Sequence, residues 1–61
     1  MKDHNIETAS NETLKEDYLS FLKVLGRGRE EQDVDLMVSS MEELDRIEGE
    51  LRSRNDWPWG D

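Results

Sequence analysis

With 61 residues, 16 acidic against 8 basic side chains and no cysteine, the chain carries a formal charge of −8 and has no means of forming a disulfide framework or a thiolate zinc site. That charge repels a phosphate backbone, so direct binding to DNA or RNA is disfavoured. A chain this short builds only a marginal core by itself, which leaves self-association as the usual remedy.

In chain order, residues 1–9 hold one branched apolar residue, Ile6, among polar and charged neighbours, and read as a flexible arm. No apolar run follows Lys2, and no later segment approaches the roughly 20 apolar residues of a membrane span. A cytoplasmic protein without a membrane partner is therefore expected. Ser10 and Asn11 are N-cap types, and Thr13 with Glu16 has the spacing of a capping box, which predicts a helix over about 11–25. Leu14, Tyr18, Phe21, Leu22 and Leu25 fall on one stripe of it, with Leu19 and Val24 at its margins.

Gly26-Arg27-Gly28-Arg29 predicts the turn, since a glycine readily takes the left-handed conformation that closes a helix. A second helix is expected over about 30–54. Val34, Met37, Met41, Leu44, Ile47 and Leu51 recur along it at intervals of three or four. Its start is crowded with Glu30, Glu31, Asp33 and Asp35, and Arg52 and Arg54 sit at its end, both as the helix dipole favours. Glu42 with Arg46, Glu48 with Arg52 and Glu50 with Arg54 are each four apart with the acid first, the better orientation for a surface ion pair. Gly49 admits two readings, a close approach by another helix or plain tolerance. Pro58 ends helical geometry, leaving residues 56–61 as a tail whose tryptophans admit two readings, anchors for a partner or, for Trp57, folding back over the open end of the hairpin or the dimer seam.

The expected fold is all-α: an antiparallel two-helix hairpin over 10–55 that dimerises into a four-helix bundle. Its core or dimer seam would comprise Leu14, Tyr18, Phe21, Leu22, Leu25, Val34, Met37, Met41, Leu44 and Leu51.

Chemistry-bearing constellations are sparse. His4 is the single histidine and lies in the arm, so an acid–base pair or nucleophile triad lacks a second member. No catalytic, metal or cofactor residues are assigned, and an enzyme is not expected. The glycine–arginine turn lacks the lysine and hydroxyl of a phosphate loop. A helix-turn-helix reader of DNA fails on charge, because Arg46 is the single basic residue between Glu30 and Glu50 against nine acids.

Size and layout resemble the small helical-hairpin proteins of plasmids and phages, among them the copy-number regulators that pair two hairpins into a four-helix bundle. The likeness is one of architecture; the basic face that RNA binding by that family implies is missing here. The expected function is that of a small acidic regulatory adaptor working by protein–protein interaction, in the manner of phage, prophage or plasmid accessory proteins. Its partners would be a second copy of itself and another protein, met through Trp57, Pro58 and Trp59 and the acidic residues Glu42, Glu43 and Asp45. The alternative is a nucleic-acid mimic that sets its carboxylates into the basic groove of a DNA-binding protein.

Overall fold

The computed structural model describes residues 6–60. Two helices, α1 (Asn11–Glu31) and α2 (Val34–Ser53), fold back on each other as an antiparallel hairpin. Its smallest extent is 14 Å, little more than the roughly 10–12 Å diameter of one helix, so the molecule is a single helical layer with two broad faces.

The start of α1 is as expected. Ser10 is extended and its hydroxyl accepts the Thr13 amide at 3.1 Å, satisfying one of the donors that a helix N-terminus leaves open. The end is not: α1 continues through Gly26–Arg29 to Glu31, and the turn comes six residues later than the glycine signal placed it. Two local interactions decide this. Gln32 adopts the left-handed conformation at φ 56°, its amide reaches Arg29 O at 3.3 Å, and the Asp33 amide reaches Gly28 O at 2.8 Å. This is a Schellman closure with glutamine in the position glycine usually takes. Asp33 then serves a second purpose, accepting the Leu36 amide at 3.1 Å on its carboxylate and so capping α2. A helix starting at Glu30 would have had no such cap.

Glycine at 28 is used for proximity instead. It is buried, and a Cβ there would lie 3.1 Å from Met37 Cγ, so the absence of a side chain lets the two helices approach. Gly49 shows the other behaviour, with open space where its Cβ would be. The left-handed glutamine leads to a test. Gln32→Gly is expected to raise stability by about 1 kcal/mol by removing the Cβ conflict, seen as a higher urea midpoint at unchanged slope. An unchanged midpoint would show that Gln32 is not strained.

α2 ends with the same closure. Asn55 is left-handed at φ 59°, its amide donates to Arg52 O at 3.0 Å, and the Asp56 amide donates to Leu51 O at 2.9 Å. Of the three expected ion pairs, Glu48–Arg52 and Glu50–Arg54 form at 2.7 and 2.9 Å, while Arg46 turns to Glu43 at 3.6 Å instead of Glu42.

The core lies at the end of the hairpin where the chain begins and ends. Leu14, Ile47 and Leu51 are wholly buried, Leu44 nearly so, and Ile6, Ala9, Tyr18, Phe21 and Trp57 pack around them. Residues 6–9, the described part of the expected arm, are therefore docked. The arginine at the end of α2 holds them: Arg54 donates from Nη1 to Ala9 O and Asn11 Oδ1 and from Nη2 to Ile6 O and Glu7 O. His4 lies outside the described residues.

Within one chain the residues expected in the core or dimer seam divide into covered and exposed sets. Leu14, Leu44 and Leu51 are buried and Tyr18, Phe21, Leu25 and Met37 half-buried, but Leu22, Val34 and Met41 are 42, 62 and 51 % exposed. Ile47, absent from that list, is fully covered. In the turn half of the hairpin Gly28 and Ser40 are the buried residues. Leu22 and Met41 each follow a covered residue, Phe21 and Ser40, by one position, and the helix step of about 100° per residue turns them onto a broad face. Ser40 satisfies its hydroxyl locally by donating to Leu36 O at 2.8 Å.

Candidate interaction surface

Two features stand out on this surface, an aromatic cluster at the terminal end and an apolar strip in the turn half. The cluster follows from how α2 stops. The Schellman closure at Asn55 reverses the chain, Pro58 stiffens the reversal, and the tail is laid back across α1. Asp56 is anchored to Lys15 at 3.0 Å, and the Trp57 indole N–H donates to Gly60 O at 2.6 Å.

Tyr18 is the platform on which both tryptophans meet. Trp57 stands edge-on to it at 5.1 Å between centroids, Trp59 stacks nearly parallel to it at 4.9 Å, and the two indoles meet edge-on at 5.0 Å. Such ring pairs each contribute about 0.5–1.5 kcal/mol beyond the area they bury. Arg52, held by Glu48, lies 4.9 Å from the centre of the Trp57 ring, a cation–π distance. Arg52, Asn55, Trp57 and Gly60 line a shallow, open hollow of about 310 Å³. Trp57 is half-buried and structural, whereas Trp59 keeps 43 % of its surface exposed at the rim.

Burial raises the Tyr18 phenol above its ordinary value, Glu48 adds to the rise, and Arg52 partly offsets it. A raised phenol favours the neutral form in the folded state. Its contribution to stability is therefore complete below the ordinary tyrosine value of about 10 and is lost as pH climbs through the folded one. Tyr18 is the single tyrosine, so tyrosinate absorbance reports it directly. The expected result is a titration above that of the unfolded chain, and coincidence of the two curves would show that the phenol is not desolvated.

The apolar strip is formed by residues that one hairpin leaves uncovered. Val34, Val38 and Met41 follow one another at intervals of four and three along α2, Leu19 and Leu22 are three apart on α1, and all are 42–62 % exposed. Leu22 lies one turn beyond Tyr18, so the strip begins where the aromatic tail stops.

The six residues expected to meet a partner do not form one site. Trp57, Pro58 and Trp59 make up the terminal cluster, while Glu42, Glu43 and Asp45 sit on α2, with Asp45 seven residues, or about 10 Å, before Arg52. Glu42 and Asp45 are exposed, and Glu43 is partly covered and paired with Arg46. Sequence reasoning missed the part played by Tyr18 as a platform, and Arg54 as the link between the chain ends. The tyrosine's place on the core stripe concealed the first, and nothing in spacing signals the second.

Among the described residues there is no group of three histidine, aspartate or glutamate side chains placed to hold a metal ion, and no helix long and apolar enough to cross a membrane. Comparison with models of protein families, with curated proteins and with solved structures finds no match to this chain.

Proposed function

We propose that the chain is a small non-enzymatic regulatory adaptor that acts by protein–protein interaction. It pairs with a second copy through the apolar strip to form a four-helix bundle and offers the rim of the aromatic cluster, Trp59 foremost, to a protein of another kind. The observation that carries this reading is the strip itself. A hairpin whose core amounts to Leu14, Leu44, Ile47 and Leu51 leaves Leu22, Val34, Val38 and Met41 in water. Contiguous apolar surface on so small a domain favours association. An accessory protein of a phage, prophage or plasmid is the setting that suits such an architecture.

The mimic reading draws less support. Of the nine carboxylates from Glu30 to Glu50, five are engaged within the chain: Glu31 with Arg27, Asp33 with the Leu36 amide, Glu43 with Arg46, Glu48 with Arg52 and Glu50 with Arg54.

Affinity capture from host lysate at low and high salt, with Trp59→Ala alongside, tests the adaptor. Trp59 is the better site because Trp57→Ala would also unfold the tail. A protein retained at high salt and lost with Trp59→Ala is the expected result. A DNA-binding protein released by salt and indifferent to Trp59 would replace this reading with the mimic.

A further inference from the structure

Four-helix bundles made of two hairpins come in two arrangements, and the distribution of charge and exposure here selects one. Resting on the self-association proposed above, we infer that the two copies lie with their turns at the same end, α1 of each over α2 of the other.

Exposure indicates which part of the face is covered. On α2 the exposed apolar residues Val34, Val38 and Met41 all precede Leu44, and on α1 Leu19 and Leu22 flank the middle of the helix. The other half of the hairpin already carries its own cover, since Trp59 stacks on Tyr18. The surface that needs a neighbour therefore runs from the middle of the hairpin toward its turn, and in a dimer these parts of the two copies meet each other.

Charge decides how they meet. A two-fold axis across the helices sets α1 on α1 and α2 on α2, whereas an axis along the hairpin sets α1 on α2. In its turn half α1 carries Lys23, Arg27 and Arg29 against Glu30 and Glu31. Beside the strip α2 carries Glu42 and Asp45, whereas Glu43 pairs with Arg46 away from it. Stacking α2 on α2 places acid over acid in a molecule already at −8, which is unfavourable at close range. Stacking α1 on α2 matches unlike signs.

The register supports this match. Gly28 lies against Leu36 and Met37, so Lys23 is level with Met41 and Glu42. In the same-end arrangement Lys23 flanks the strip beside Glu42 and Asp45 of the second copy. Both aromatic clusters then project from one end of the bundle, where a single partner could engage the two together.

The chain has no cysteine, so one introduced thiol gives one spin label per copy. Glu16 and Glu30 are exposed positions toward opposite ends of α1, separated by 14 residues or about 21 Å along the axis. Pulsed electron spin resonance on Glu16→Cys and Glu30→Cys, with mass from light scattering, gives the answer. The same-end arrangement predicts a dimer in which the two label distances are equal and short, because each label sits level with its counterpart. Any axis across the helices makes the two axial offsets add to at least about 42 Å, so one distance must include 21 Å or more. A dimer in which either distance carries an axial offset of about 21 Å or more, equal to the other or not, overturns this inference and leaves self-association standing. A monomer at millimolar concentration overturns both.

Discussion

Replacing Arg54 with alanine is expected to destabilise the folded chain by about 2–4 kcal/mol, more than any other charge substitution. An arginine has five N–H donors, and here all five are used. Nε meets Glu50 at 2.9 Å, Nη1 meets Ala9 O at 2.8 Å and Asn11 Oδ1 at 2.7 Å, and Nη2 meets Ile6 O at 3.1 Å and Glu7 O at 3.2 Å. Hydrogen bonds to a charged donor contribute about 1.5–3 kcal/mol each where they are sheltered, and this side chain is only 22 % exposed. The contributions do not simply add, which is why the total is set near that of two bonds. Arg54→Lys should recover little, because an ammonium cannot span four acceptors in a planar fork. Urea unfolding measures the loss, and hydrogen exchange in residues 6–9 locates it. A loss below about 0.5 kcal/mol would place Arg54 with ordinary surface pairs.

Leu51→Ala is expected to cost about 2–5 kcal/mol, the range for truncating a wholly buried leucine. A domain of this size has a net stability of only about 3–5 kcal/mol, so the variant should lose its cooperative transition. The position has a second constraint, since the Leu51 carbonyl accepts both the Arg54 amide at 3.2 Å and the Asp56 amide at 2.9 Å. Loosening it frees the turn that carries Trp57 and Trp59. Leu22→Ala is the informative contrast. At 42 % exposure Leu22 should matter little to one hairpin, yet in a self-associated bundle its removal should lower stability in a concentration-dependent way. Circular dichroism melts at two protein concentrations separate the cases. Retention of a cooperative melt by Leu51→Ala would show that the core is not centred where the burial pattern places it.

The existence of both helices was legible in the chain because helical periodicity is a local property. Apolar spacing, a serine cap and acid-first ion pairs each act over three or four residues, and they placed α1, α2 and two of the three expected pairs. The turn was misread because a glycine has two uses. It permits a left-handed closure and it permits a neighbour to come close, and composition does not distinguish them. At Gly28 the second use prevailed, with closure passing to Gln32 and Asp33.

The sequence by itself determined an acidic, cysteine-free, two-helix chain with an aromatic tail, since these follow from composition and from interactions within a turn or two. Tertiary structure alone decided which apolar residues are covered, where the tail lies and what holds the two chain ends together. Whether Leu22 is buried depends on which line of α1 turns toward α2, and here Phe21 and Leu25 take that line. The roles of Tyr18 and Arg54 depend on bringing together residues about 40 positions apart. Such pairings are set by the packing of the whole hairpin, and no local pattern encodes them.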